Sequence, residues 1–90
     1  MTYQLTANTG ETATAATIKA IADQARQILI DHFTQSTTRI TITTPEGWTY
    51  PFAQGAGRVD LPPEAVAAAV DELIYEIRAA LHWQHDEQTP

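Results

Sequence analysis

Thr44-Pro45-Glu46-Gly47-Trp48 separates two runs, Ile40-Thr41-Ile42-Thr43 and Thr49-Tyr50-Pro51-Phe52, in which apolar and polar residues alternate. Proline pre-sets the first corner of a type I turn and glycine accepts the left-handed conformation of the bulge that follows, so the stretch predicts a tight hairpin. The turn also sets the register. Thr44 faces Trp48, Ile42 faces Tyr50 and Ile40 faces Phe52, which places the large apolar residues of both strands on one face. Arg39, Thr41, Thr43, Thr49 and Pro51 fall on the other, polar face. Pro51 cannot donate to a ladder, so the second strand is expected at a sheet edge.

A lone hairpin is marginal in water, and a third strand is therefore expected. Residues 2–7 suit it best, because Tyr3, Leu5 and Ala7 alternate with Gln4 and Thr6 before the turn signal Asn8-Thr9-Gly10. This strand would lie parallel to the Ile40 strand, joined to it by a helix in a right-handed crossover. A short strand over residues 58–61 is the alternative.

Upstream of the hairpin, Ile18, Ile21, Ala22, Ala25, Ile28, Leu29, His32 and Phe33 recur at helical spacing, with Lys19, Asp23, Gln27 and Asp31 opposite. Thr12 is the expected N-cap, with Glu11 favourably placed at the positive end of the helix dipole, and the helix should end between Thr34 and Ser36. Downstream, Leu61-Pro62-Pro63-Glu64 announces a second helix. Its buried face would comprise Val66, Val70, Leu73, Ile74, Ile77, Ala80 and Leu81. Helicity should fade near Gln84, and residues 85–90 are expected to fray.

The chain thus reads as one α+β domain over residues 1–90, with no internal repeat. Two long amphipathic helices pack on one face of a small two- or three-stranded sheet, in the order βαββα or alternatively αβββα. Helices of about 22 residues reach ~33 Å, whereas strands of about six residues span ~20 Å. Both helices should therefore overhang the sheet, and the overhangs suggest a homodimer or a bound partner. The αβββα order resembles that of double-stranded-RNA-binding domains, but in order alone. Asp60-Leu61-Pro62-Pro63-Glu64 stands where that family would present lysines to phosphate, so the charge is reversed.

Charge is partitioned along the chain. Residues 1–59 carry Glu11, Asp23, Asp31 and Glu46 against Lys19, Arg26, Arg39 and Arg58. Residues 60–90 carry Asp60, Glu64, Asp71, Glu72, Glu76, Asp86 and Glu87 against Arg78 alone, so the entire net charge of −6 lies there. Five basic side chains cannot neutralise a row of phosphates, which disfavours direct nucleic-acid binding. With no cysteine, disulfides and thiolate chemistry are excluded. The start lacks the pattern of a signal peptide and no apolar run would cross a bilayer, so a cytoplasmic protein without membrane contact is expected.

Few residues suggest chemistry. His82 and His85, one helical turn apart, could hold a metal with Asp86 as a third ligand, although histidines at a helix C-terminus more commonly complement the dipole. His32, Ser36 and Asp31 form a superficial hydrolase trio, but Asp31 points about 100° around the helix from His32 and no nucleophile elbow surrounds Ser36. Residues 54–58, Gln-Gly-Ala-Gly-Arg, resemble a phosphate cradle. Pro62 and Pro63 remove the donors such a cradle needs, and Asp60 and Glu64 would repel the phosphate, so a connector is the better reading.

The second helix is the more informative surface. Tyr75 falls almost opposite Leu73 and Ile77 in a stripe with Asp71, Arg78 and His82, while Trp83 follows Glu72 and Glu76 along a flank. Aromatic rings outside the buried stripe, beside carboxylates, suit a docking surface in which the rings supply contact and the acids supply steering. The sequence therefore points to a non-enzymatic acidic interaction module without cofactor. It would be an inhibitor or adaptor engaging a basic, nucleic-acid-binding surface of a partner protein, as anti-defence proteins do. The alternatives are a structural component of a larger particle and a metal- or small-molecule-binding domain.

Overall fold

The computed structural model describes residues 1–35 and 37–88, with side chains from 1–35 and 37–83. Its elements are β1 (Tyr3–Ala7), β2 (Thr12–Ala15), α1 (Ile18–Asp31), β3 (Thr38–Thr43), β4 (Thr49–Gln54) and α2 (Pro63–Gln88). The four strands form one antiparallel sheet in the order β2-β1-β3-β4.

The Thr44–Trp48 hairpin forms in the expected register, with Ile40 opposite Phe52 and Ile42 opposite Tyr50. Thr44 and Trp48 close it through a 2.8 Å backbone bond, and Gly47 takes φ +92° as the bulge requires. Ile40 and Ile42 are buried, Tyr50 and Phe52 half-buried, and Trp48 is exposed at the turn. β4 is an edge strand, as Pro51 requires.

Several expectations are corrected. The sheet has four strands, not two or three, because Thr12-Ala13-Thr14-Ala15 is a strand and not the start of a helix. Asn8-Thr9-Gly10 closes a second tight hairpin, in which the Ala7 amide donates to the Glu11 carbonyl at 3.0 Å and Gly10 takes φ +94°. Thr12 and Thr14 are β-branched and alternate with Ala13 and Ala15, but four residues are too few for periodicity to separate strand from helix. Second, this extra reversal changes the parity of the chain, so β1 pairs antiparallel to β3, with Leu5 opposite Ile42, in place of the parallel crossover. Third, α1 is short: 14 residues capped by Thr17, whose hydroxyl accepts from the Ala20 amide at 3.1 Å. Only α2, at 26 residues, is long, and it continues to Gln88 past the expected fade near Gln84. Residues 58–61 form a turn leading into α2, so the αβββα alternative and its RNA-binding resemblance fall away.

The observed order is ββα followed by ββα, a repeat invisible in the composition. The offset that carries Gly10 to Gly47 also carries Leu5 to Ile42, Thr14 to Pro51 and Ala15 to Phe52. Because Leu5 pairs with Ile42, its own counterpart, the pseudo-twofold axis of the sheet passes between these two residues. Both helices lie on the sheet face that carries them. The core joins Leu5, Ile40 and Ile42 to Ile21, Ala22, Ala25 and Leu29 of α1 and Val70, Ile77 and Leu81 of α2. The other sheet face presents Gln4, Thr6, Thr12, Thr14, Arg39, Thr49, Pro51 and Ala53 to solvent.

The stretch from Gln54 to Arg58 is a docked connector and no phosphate cradle. The Gly57 amide donates to the Phe33 carbonyl at 2.7 Å, and a Cβ at Gly57 would sit 1.9 Å from the Phe33 ring. Phe33 is itself buried, so the ring has little room to retreat. G57A is therefore expected to destabilise the protein by about 1–3 kcal/mol through overpacking. At Gly55 an added Cβ meets nothing within 4 Å. G55A serves as the control in parallel urea denaturation, and equal midpoints for the two variants would refute the contact.

Candidate interaction surface on α2

Val70, Ile74, Ile77 and Leu81 form the buried stripe of α2, which turns the opposite face of the helix outward. Tyr75 is 76% exposed there and Trp83 65% exposed, so neither ring folds back over the hairpin. Exposed Ala79 lies one turn after Tyr75 and one turn before Trp83. The three make an apolar ridge about 12 Å long, with a small residue between two large ones. That spacing was legible in the sequence, but Ala79 carries no chemical signal of its own and only the observed exposure reveals its place.

The two flanks of the ridge differ. On one side Asp71, Ile74, Tyr75, Arg78, Ala79 and His82 line an open concavity of about 570 Å³. On the other, Glu72 and Glu76 are exposed beside Trp83 and make no ion pair among the described residues. The expected site residues are therefore brought to one helix face, with one qualification. Asp71 accepts a 2.7 Å hydrogen bond from Arg26 of α1, which ties the two helices together and takes much of its charge. Both partners are substantially exposed, so the tie contributes little to stability. Ile30, which lies off the apolar stripe of α1, is half-buried against the core.

The concavity mixes a carboxylate, a guanidinium, an imidazole and a phenol around apolar walls, with no nucleophile held by a base. No group of three potential metal ligands occurs among the described residues, and the side chains of His85 and Asp86 lie outside them. Ser36 also lies outside the described residues, and Asp31 accepts instead from Gln27 at 2.8 Å.

His32 is a helix-end histidine whose ring is held by two side chains. It is the C-cap of α1, and its ring contacts Gln35 through Nδ1 at 3.0 Å and Glu11 through Nε2. Glu11, read as a dipole partner at the start of a helix, instead fastens the β1–β2 turn to the far end of α1. The Gln35 contact, then that to Glu11, raise the imidazole pKa above its ordinary 6.5. A raised folded-state pKa means that the contribution is fully present below about pH 6.5 and is lost as pH rises through the folded value. The melting temperature of the wild type should accordingly fall across that window, and H32Q should flatten the fall. Parallel pH dependence in both proteins would remove the clasp from the account.

Among the described residues no helix is long and apolar enough to cross a membrane. Comparison with protein-family models, with curated proteins and with solved structures finds no match for this chain.

Proposed function

We propose that this protein is a non-enzymatic interaction module that acts in the cytoplasm and docks the outer face of α2 onto a basic surface of a partner protein. The observation that carries the reading is the pair of exposed rings, Tyr75 and Trp83, set either side of Ala79 with Glu72 and Glu76 alongside. Exposed aromatics of this size are costly to leave in water and are the side chains most often found at the energetic centre of interfaces. From residue 63 to residue 83 the helix carries four carboxylates against one guanidinium, so it attracts lysine and arginine over distances of a Debye length. Rings then supply contact and Glu72 and Glu76 supply register. A surface that ordinarily binds nucleic acid is the natural target for such a face, and occupying it would make the protein an inhibitor or adaptor of the anti-defence kind.

The experiment uses Trp83 as its own reporter. In a W48F background it is the only indole, and its emission is followed while a helical peptide rich in lysine and leucine is titrated in. The expected result is a saturable blue shift that weakens as salt is raised and weakens several-fold in E72Q/E76Q. An unchanged emission, or binding indifferent to both salt and the two substitutions, would overturn the reading.

A further inference from the structure

The sheet order leaves β2 and β4 as its two edges, and the repeat makes them equivalent positions. Antiparallel ladders alternate hydrogen-bonded with non-hydrogen-bonded pairs, so one known bond fixes which backbone groups point outward. The Thr44–Trp48 bond places Thr49, Pro51 and Ala53 in non-bonded pairs with β3, facing solvent. The Ala7–Glu11 bond does the same for Thr12 and Thr14 of β2. Pro51 thus sits at the centre of the β4 edge, where its missing amide costs no ladder bond and denies an approaching strand a donor. Its counterpart in the repeat is Thr14, which keeps its amide. The outward backbone groups of Thr12 and Thr14 have no partner among the described residues. One edge is closed and the matching edge is open.

Two further observations indicate what covers the open edge. Ala13 and Ala15 stand where the β4 repeat has Tyr50 and Phe52, so no bulky core-side chain obstructs a neighbour at β2. The half of the chain that carries β2 is electrically neutral, whereas the α2 half carries the full net charge of −6. Two like chains therefore meet with least repulsion at β2. The strand is also self-complementary, because Thr12 and Thr14 are placed symmetrically about Ala13.

We propose that two copies of this chain associate through β2, antiparallel, with Ala13 on the twofold axis and Thr12 facing Thr14 of the second copy. The outward donors and acceptors of both threonines are then satisfied on each chain, and the two sheets become continuous. Pro51 terminates that sheet at both ends, which closes the assembly at two chains and prevents a filament. The α2 face remains free in the dimer, so this inference stands apart from the function proposed above.

Sedimentation equilibrium of the full chain from low to several hundred micromolar tests it. The expected result is a concentration-dependent doubling of mass, lost in T14P, which reproduces at β2 the block present at β4. Because the chain has no cysteine, A13C adds a clean second test. Non-bonded antiparallel pairs bring Cα atoms to about 4.5 Å, within disulfide range. A13C should therefore give a covalent dimer on mild oxidation, while A53C on the closed edge stays monomeric. The A13C result stands whether or not T14P folds. A single-chain mass at every concentration, equal cross-linking of A13C and A53C, or loss of the dimer in Y75A/W83A would overturn the proposal, the last by placing the contact on α2.

Discussion

Truncation of Ile42 to alanine is expected to destabilise the protein by about 2–5 kcal/mol, the range for a large apolar side chain removed from a core that cannot collapse around the gap. Ile42 is fully buried in a central strand and faces Leu5, itself 1% exposed, across the pseudo-twofold axis. Strand pairing holds the backbone on both sides, so the surroundings cannot close over the cavity. L5A should cost a similar amount. The two residues touch, so the double variant should depart from additivity by about 0.5–3 kcal/mol. T43A, next in the same strand but on the outer face, should stay within about 0.5 kcal/mol of wild type. Urea denaturation of the four variants is the measurement. A loss below about 1 kcal/mol in I42A would show that the core is not organised around this pair.

The largest effect on function is expected from removing the two rings of α2. Tyr75 and Trp83 are mostly exposed, so Y75A and W83A should each leave stability within about 0.5 kcal/mol of wild type. Binding should respond very differently. A ring desolvated at the centre of an interface typically contributes about 2 kcal/mol or more, equivalent to roughly a 30-fold weaker dissociation constant for each substitution. The helical lysine- and leucine-rich peptide, titrated by calorimetry so that no indole reporter is required, provides the readout. I77A, six residues before Trp83 but on the buried stripe of the helix, is the opposite control. It removes a buried side chain and should lower stability without altering the outer face. Equal affinity of wild type and Y75A/W83A would remove α2 as the docking surface.

One hairpin and one helix of this architecture are legible in the sequence. The Thr44–Trp48 turn dictated both its hairpin and the pairing of Ile40 with Phe52, because a proline corner and a glycine bulge leave one register open. The buried stripe of α2 followed from apolar spacing, and the same spacing put Tyr75 and Trp83 outside it. The equivalent turn at Asn8-Thr9-Gly10 was read only as the end of a strand. Its following residues, Thr12-Ala13-Thr14-Ala15, suit a helix start and a short strand almost equally, since alanine favours helices and threonine both caps them and populates strands. That one ambiguity hid β2, reversed the expected direction of β1 against β3, lengthened α1 at the expense of the sheet and concealed the ββα repeat. The Arg26–Asp71 tie and the Glu11–His32 clasp join residues far apart in the chain, and no local spacing announces such contacts.

The sequence by itself determined what depends on neighbours within a few positions: the Thr44–Trp48 hairpin and its register, the outward rings of α2, and the division of charge between a neutral half and an acidic one. Tertiary structure alone decided what depends on which strand lies beside which. It made Thr14 and Pro51 equivalent positions on opposite edges, set Leu5 against Ile42, and brought Glu11 to the end of a helix that it was expected to begin. The physical reason is that turn and helix preferences act over a few bonds, whereas pairing is chosen by the burial of whole faces, and a four-residue strand contributes too little to that choice to declare itself in advance.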